Sequence, residues 1–167
     1  MHDRLTASDI KKMEDEIEYR KLKLRKELIE DVKDVRAQGD LSENFEYYAA
    51  KREKNKNESR IRFLERMIRT AQVIDDSSNE DEVGMNDRVE VYFEEDDLTE
   101  SYRIVTTVRA NSLNRLISIE SPLGKALMHK HIGDRVEVQV TPSYSYYVTI
   151  KKIEKIDDDS EDRIRSY

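Results

Sequence analysis

Two carboxylates stand out by their type and spacing. Asp40 and Glu43 lie three residues apart in segment 39–44 (GDLSEN), whose glycine is the only one between residues 6 and 83. One or two carboxylates are enough to hold Mg²⁺, because this ion keeps several of its waters. The same spacing is also typical of a helix start, where acidic side chains cap free N–H groups. Spacing alone favours capping, and the neighbouring Glu46 is expected to face solvent or a lysine.

The sequence on both sides of this segment predicts two long helices. Thr6 and Asp9 have the spacing of a capping box, which marks a helix start. Apolar residues then recur at intervals typical of a helix packed against a single partner. They are Ile10, Met13, Ile17, Leu24, Leu28, Val32 and Val35 in the first run, and Phe45, Tyr48, Ile61, Leu64, Ile68 and Ala71 in the second. An antiparallel helical hairpin is therefore predicted over residues 1–75, with arms of about 45 Å.

The second arm is rich in basic side chains near its start. Residues 51–58 (KREKNKNE) contain no apolar side chain, so no third helix is expected to cover them. Most of the basic residues of this arm are expected to be solvated and to pair with acids three or four positions away. Between residues 51 and 69 they are Lys51, Arg52, Lys54, Lys56, Arg60, Arg62, Arg66 and Arg69.

The pattern changes after residue 75. Residues 76–84 are acidic and predict a linker, and the apolar–polar alternation that follows is typical of strands. Ser121 followed by Pro122 predicts a short helix that ends near Leu127. Residues 85–156 thus predict a small α+β domain, and residues 157–167 a loose, charged tail. The expected strands lie around Val89, Val91 and Phe93, around Tyr102 and Ile104, around Leu116 and Ile119, around Val136, Val138 and Val140, and around Val148 and Ile150.

Composition excludes several classes of protein. The chain has 167 residues and no cysteine, which rules out disulfides and thiolate metal sites, and its three histidines form no ligand set. No signal peptide or membrane-spanning apolar run is present, so a cytoplasmic protein is expected. The protein is also expected to be a monomer. Residues 1–75 carry 18 basic and 17 acidic side chains, and residues 76–167 carry 12 basic and 20 acidic ones. Neither part has the surplus of basic residues that is usual in a protein that binds free nucleic acid. Contact with nucleic acid is therefore expected at one place, inside a larger assembly.

Three segments in register carry a resemblance to a known family. Segment 36–65 (RAQGDLSENFEYYAAKREKNKNESRIRFLE) resembles the hairpin-tip signature of the bacterial GreA/GreB elongation factors, segment 117–127 (ISIESPLGKAL) resembles a second family motif, and segment 133–136 (GDRV) a third. The resemblance implies an α+β protein of two domains. These are an N-terminal helical hairpin and a C-terminal FKBP-like antiparallel sheet with one short helix.

The resemblance also implies a function. Factors of this family bind RNA polymerase at the rim of its secondary channel and insert the hairpin toward the active site. Asp40 and Glu43 match the two acidic tip residues of the family, and would hold Mg²⁺ and orient water for hydrolysis of backtracked RNA. The expected role is thus that of an activator of polymerase rather than an enzyme. It binds no cofactor stably by itself, and Mg²⁺ is held only in the polymerase complex, together with the RNA 3′ end.

Further site residues follow from the same comparison. Arg36 and Lys51, with the adjacent Arg52, are expected to meet RNA phosphates, a contact without sequence preference. Tyr47 matches a tyrosine of the family's tip and is the candidate for stacking on a base, whereas Tyr48 is expected to pack in the hairpin. Docking on polymerase is expected at Ser121, Pro122 and Leu123, for which a purely structural role in starting the helix is equally favoured.

The sequence departs from the family pattern at two places. Phe45 replaces the usual alanine after the acidic segment, and Asn86-Asp87 replace a Gly-Ser turn; asparagine tolerates the same left-handed backbone.

Three alternatives to cleavage stimulation are open at this point. The first is a factor that occupies the channel without stimulating cleavage. A prolyl isomerase and a plain coiled-coil adaptor are the others, although likeness in fold alone says little about activity.

Overall fold

The N-terminal part of the chain is a hairpin of helices. The computed structural model describes residues 3–37 and 45–166. The first arm consists of α1 (Ala7–Tyr19), a π-helix (Arg20–Leu24) and α2 (Arg25–Ala37), and the second arm is α3 (Phe45–Thr70). At 1.5 Å per residue, the 26 residues of α3 span about 39 Å. The predicted hairpin is confirmed, but its first arm is not one regular α-helix, because residues 20–24 form the π-helix.

The first helix begins at the predicted capping box. The backbone N–H of Thr6 donates to Asp9 Oδ2 at 3.0 Å, and the N–H of Asp9 donates to Thr6 Oγ1 at 3.1 Å. Each side chain thus satisfies an N–H that the helix leaves free. This prediction is confirmed, since both bonds of the motif are present.

Among the described residues of the hairpin, burial is confined to the part away from its turn. The buried side chains of α3 are Asn57, Arg60, Ile61, Leu64 and Met67. Ile61 and Leu64 were predicted from the apolar spacing to be buried, and their side chains are 2% and 0% exposed. Phe45 and Tyr48 were placed on the same apolar stripe, which is wrong, because their side chains are 87% and 56% exposed.

The C-terminal part is built on a five-stranded sheet. Its strand order is β5-β4-β3-β7-β6, and a separate pair joins β1 to β2 in parallel. The expected wholly antiparallel sheet needs a correction, because β4 and β5 run parallel and the sheet is mixed. All five predicted strand regions are confirmed. The strands are β1 (Arg4–Leu5), β2 (Gln72–Val73), β3 (Arg88–Phe93), β4 (Leu98–Val105), β5 (Leu116–Ser118), β6 (Arg135–Thr141) and β7 (Tyr144–Glu154).

The short helix α4 (Pro122–Leu127) closes one side of the sheet's apolar core. Ser121 caps it as predicted, accepting a hydrogen bond from the Gly124 N–H at 3.0 Å. Gly124 lies so close to β5 that a Cβ there would come within 2.0 Å of the Ser118 carbonyl oxygen. The segment ISIESPLGKAL therefore owes its serines and glycine to the packing of α4 against β5.

The acidic segment 76–84 is attached to the sheet by one lysine. Lys155 Nζ donates to Asp87 Oδ2 at 2.6 Å, to the Glu82 carbonyl at 2.9 Å and to the Asn79 carbonyl at 3.1 Å. Asp87 is 1% exposed and also accepts from the Gly84 N–H at 2.7 Å. The segment predicted as a linker thus has fixed contacts with the sheet. Asn86, just before Asp87, has the positive φ of 72° that its replacement of glycine requires.

The C-terminal unit also encloses a cluster of charges. Residues 4–9 belong to this unit together with residues from 72 onward, whereas residues 1–3 and 10–71 form the other. Arg109 is 1% exposed, and its guanidinium contacts Asp9 at 2.6 Å and Asp162 at 2.8 Å. Arg103 makes two further bonds to Asp162, at 2.8 and 3.0 Å. The prediction of a loose tail is therefore wrong around Asp162, which is 8% exposed.

No helix in residues 3–37 and 45–166 is both long enough and apolar enough to cross a membrane.

Replacing Asp162 tests the attachment of the tail. Asp162→Ala is expected to lower the free energy of unfolding by about 3 kcal/mol at pH 7, because Arg103 and Arg109 lose a buried partner. Burial alone would raise the pKa of Asp162, but the hydrogen bonds from Arg103 and Arg109 outweigh it and lower that pKa. The stabilisation is thus present above the unfolded-state pKa of about 3.9 and is lost as the pH falls through the folded-state pKa.

Urea unfolding at pH 7 and at acidic pH measures this effect, with Asp157→Ala, an exposed residue of the same tail, as the control. The difference between wild type and Asp162→Ala should shrink in acid. An equal, small effect of both substitutions at pH 7 would contradict the attachment.

Candidate functional site at the distal end of the hairpin

The predicted catalytic pair lies in the connection between the two arms. Asp40 and Glu43 fall in residues 38–44, outside the described residues, so their roles as metal and water holders stay predictions. The described structure ends the first arm at Ala37 and begins the second at Phe45. Glu46 lies in the first turn of α3 and is exposed, as expected.

Arg36 and Tyr47 meet across the hairpin beside this connection. The guanidinium carbon of Arg36, on α2, lies 5.9 Å from the ring centroid of Tyr47, on α3. The Tyr47 ring packs edge-on against Tyr48, with 5.5 Å between centroids. Tyr47 is half-buried while Tyr48 is exposed, so Tyr47 is the ring held between neighbours. Two residues predicted to bind RNA are thus brought together from different arms.

Lys51 and Arg52 continue this basic surface along α3. Both are exposed, and within the described ranges neither has an ion-pair partner. Lys51 lies four residues after Tyr47, which places the two on the same face of the helix. Arg36, Tyr47 and Lys51 therefore form one face, with Arg52 to its side. Such a face can attract phosphate through charge and offers a ring for stacking.

Phe45 adds an unusual aromatic group at the same end. It is the first residue of α3, directly after the acidic segment, and its side chain is 87% exposed. A large aromatic ring this exposed contributes little to the packing of the helix it belongs to. Among the described residues, the Phe45 ring therefore does not pack into the hairpin.

A polar layer lies deeper in the hairpin, and sequence reasoning missed it. Glu16 on α1 accepts hydrogen bonds from Arg60 at 2.8 and 3.2 Å and from Arg20 at 2.8 Å. Asn57, 3% exposed, bonds to Arg20. Burial by itself would raise the pKa of Glu16, but the bonds from Arg60 and Arg20 outweigh burial and lower it. Arg60 had been grouped with the basic residues expected to be solvated, and Asn57 lies in segment 51–58, which no third helix was expected to cover.

A second bridge follows toward the turn. Arg25 donates two bonds to Glu58, at 2.7 and 2.9 Å, and this pair lowers the pKa of Glu58. Paired guanidinium–carboxylate bonds have a fixed geometry, so they orient the two arms as well as attract them.

The three predicted docking residues have different environments. Ser121 caps α4, Leu123 is 9% exposed within the apolar core, and Pro122 is exposed at the helix start. Structural roles account for Ser121 and Leu123. Docking stays a prediction for this segment, and among the three Pro122 offers the surface for it.

A cavity of about 740 Å³ in the C-terminal unit does not favour the isomerase alternative. It is lined mainly by arginines and polar residues of β4, the tail and the loop before β5, with no aromatic side chain. Four of its arginines already have acidic partners, since Arg88 pairs with Glu154, Arg115 with Glu100, and Arg103 and Arg109 with Asp162.

Comparison with known proteins fits both units. The model of the transcription elongation factor N-terminal domain, GreA/GreB, matches residues 4–73, and that of the GreA/GreB C-terminal domain matches residues 78–155. The chain belongs to the GreA/GreB family. The N-terminal match contains Asp40, Glu43 and the basic face beside them, whereas the tail around Asp162 lies beyond the C-terminal match.

Two relatives that are similar in sequence agree with this assignment to the GreA/GreB family. The transcription elongation factor GreA of Thermoanaerobacter pseudethanolicus is 45% identical over 81% of this chain and 87% of its own length. GreA of Bacillus licheniformis is 43% identical over 89% of this chain and 94% of its own. The crystal structure of Gfh1, a GreA factor homologue of Thermus thermophilus, is 25% identical and covers 93% of this chain and all of that one, with a TM-score of 0.43.

Phe45 is expected to be dispensable for folding. Phe45→Ala should change the free energy of unfolding by less than about 0.5 kcal/mol, since the ring is exposed. Leu64→Ala in the same helix should cost about 2–5 kcal/mol, because Leu64 is fully buried. Urea unfolding followed by far-ultraviolet circular dichroism measures both. A loss above about 1 kcal/mol for Phe45→Ala would show that the ring packs in solution.

Proposed function

We propose that this protein is a transcription elongation factor that binds RNA polymerase and stimulates cleavage of backtracked RNA by the polymerase. Its hairpin enters the secondary channel of polymerase, and the C-terminal unit docks on the channel rim. The match of the family models to both units supports this function above all. The long α3 helix, with the acidic segment at its start, suits a probe that reaches into a deep pore.

The donor set of the acidic segment fits a shared Mg²⁺ site. Asp40 and Glu43 supply two carboxylates, which suits an ion that takes few protein ligands and is completed by ligands from polymerase. One carboxylate of the pair would hold the ion, and the other would accept a hydrogen bond from the attacking water and so orient it. A bound Mg²⁺ would supply stabilisation of the charge on the water oxygen that attacks and on the phosphodiester oxygen that leaves.

The basic face beside the acidic segment holds the RNA. Arg36 and Lys51, with Arg52 at the side, neutralise phosphates of the RNA 3′ end. Tyr47 stacks on an extruded base, its ring already held between Arg36 and Tyr48. These contacts are independent of base sequence, which is what a factor acting on any arrested transcript requires. The protein is thus an activator, and the hydrolysis belongs to polymerase.

Substitution of the acidic pair tests the chemistry directly. Asp40→Ala and Glu43→Ala are each expected to slow cleavage by about a hundredfold or more, because each removes a group that acts on the metal or the water. A backtracked elongation complex with labelled RNA and Mg²⁺ gives the maximal rate, and titration of the factor gives the half-saturating concentration, which should stay unchanged.

Glu46→Ala, at an exposed acid three residues after Glu43, is the matched control and should cleave at the wild-type rate. Undiminished cleavage by the Asp40→Ala/Glu43→Ala double variant would refute the mechanism. Inhibition of transcription by the wild type without any shortened RNA would instead indicate a channel-occupying regulator.

The salt dependence of the half-saturating concentration of the factor tests the basic face. Arg36→Ala and Lys51→Ala are each expected to make the half-saturating concentration less dependent on salt. In a plot of its logarithm against the logarithm of the salt concentration, the slope should fall by about 0.7 for each phosphate that the variant no longer neutralises. Lys56→Ala is the control, since Lys56 is exposed on the same helix and pairs with Glu53. Equal slopes for all three variants would show that the face does not contact phosphate.

A further inference from the structure

The first arm of the hairpin contains one inserted residue. Between α1 and α2 the backbone forms the π-helix Arg20–Leu24, in which the N–H of Arg25 donates to the carbonyl of Arg20. Such insertions into α-helices are rare and frequently occur at functional sites. One residue corresponds to a rotation of about 100° and a rise of about 1.5 Å. The insertion therefore decides which face of α2 is turned toward α3.

The burial pattern of the first arm depends on this insertion. Partly buried residues recur in pairs every four positions, at residues 16 and 17, 20 and 21, 24 and 25, and 28 and 29. In a regular α-helix each step of four residues advances about 40° beyond a full turn, so three steps would carry the stripe about 120° around the helix. One inserted residue compensates for about 100° of this drift. The side chains of α2 thus face α3 only when the π-helix is present.

Asn57 on α3 bonds to the π-helix from across the hairpin. Its Nδ2 donates to the carbonyl of Arg20 at 3.3 Å, and its Oδ1 accepts from Arg20 Nη1 at 2.9 Å. The carbonyl of Arg20 is the one that closes the π turn with Arg25. Asn57 is 3% exposed, so both ends of its amide are used in a site with little access to water. The side chain is therefore placed to stabilise the insertion itself.

Asn57 is also the last buried residue of α3 on the way to the turn. Within α3 the segment 45–56 has no buried residue, and neither has α2. Beyond Asn57 the arms are joined by partly exposed contacts such as Arg25–Glu58 and Arg36–Tyr47. No buried layer in this described part of the hairpin adds to the orientation that Asn57 and the neighbouring Arg25–Glu58 pair set. That orientation is thus passed on to the end of α2 at Ala37.

We propose that Asn57 is a positioning residue for RNA cleavage. By stabilising the π-helix it sets the rotation of α2, and through α2 the direction in which the chain carries Asp40 and Glu43 to the reacting phosphodiester. Asn57 itself touches neither RNA nor metal. The inference rests on the proposed function, and it deepens that function by naming the element that aims the acidic pair.

Asn57→Leu tests the proposal against Asn55→Leu, the same change at an exposed position of the same helix. For Asn57→Leu the maximal cleavage rate should fall by at least about tenfold, since misplacement by about 1 Å is enough for such losses. Helical content and the half-saturating concentration for polymerase should not change, and Asn55→Leu should match the wild type. Deletion of Leu22, an exposed residue of the π-helix, should cause the same loss without touching Asn57.

A distance measurement provides a readout independent of cleavage. Because the chain has no cysteine, spin labels can be attached to cysteines placed at Lys33 on α2 and Lys56 on α3, both exposed. Rotation of α2 by about 100° on a helix about 10 Å wide should shift the label-to-label distance by several ångströms in Asn57→Leu and in the Leu22 deletion. The Asn55→Leu protein should keep the wild-type distance.

These outcomes separate the two proposals. If the wild type does not stimulate cleavage while the distances shift, the proposed function fails and the role of Asn57 in orienting the hairpin stands. If the wild type cleaves, a full cleavage rate or an unchanged distance in Asn57→Leu overturns the positioning role. A weaker affinity with an unchanged maximal rate overturns it as well. Should Asn57→Leu lose helical content, the Leu22 deletion decides in the same way.

Discussion

Two helices that pack only on each other can bury little more than the side chains along their line of contact. In this hairpin, that limit leaves the described distal residues, 25–37 and 45–56, without a buried side chain. In this distal part, the arrangement of the two helices depends on charged and polar groups, each of which needs only one partner on the other helix. The layer of Glu16, Asn57 and Arg60 closes the packed part. Polar contacts are directional, so they fix rotation where apolar contacts alone would let helices slip.

The C-terminal unit also depends on polar groups, but it has a sheet and a helix to bury them. Arg109 is enclosed between Asp9, from the start of α1, and Asp162, from the tail. Lys155 gathers the carbonyls of segment 76–84 in a similar way. Buried pairs of this kind add little net stability compared with apolar packing. What they provide is attachment, because each guanidinium or ammonium has several donors and can hold several chain segments at once.

Local patterns predicted the elements well and the contacts between elements poorly. The capping box at Thr6, the strand alternation at Val89 and Val91, and the helix start at Ser121 each depend on residues close in sequence, and all three are confirmed. The π-helix was missed because the apolar spacing across it, seven residues from Ile17 to Leu24, is that of a regular helical stripe. Phe45 and Tyr48 were wrongly expected to be buried, because the apolar spacing of the second arm does not show at which residue burial ends.

The amino-acid sequence by itself determined the two helical arms, the strands, the family and the position of Asp40 and Glu43 at the connection between the arms. These features are encoded in short-range periodicity and in motifs read residue by residue. Only the tertiary structure decided which charged residues are buried and with whom they pair. Asn57 and Arg20 are 37 residues apart, and Thr106 and Asp9 are 97 apart. A side chain's partner depends on how the chain folds back on itself. A lysine- and arginine-rich sequence looks the same whether its charges face water or a carboxylate from a distant segment.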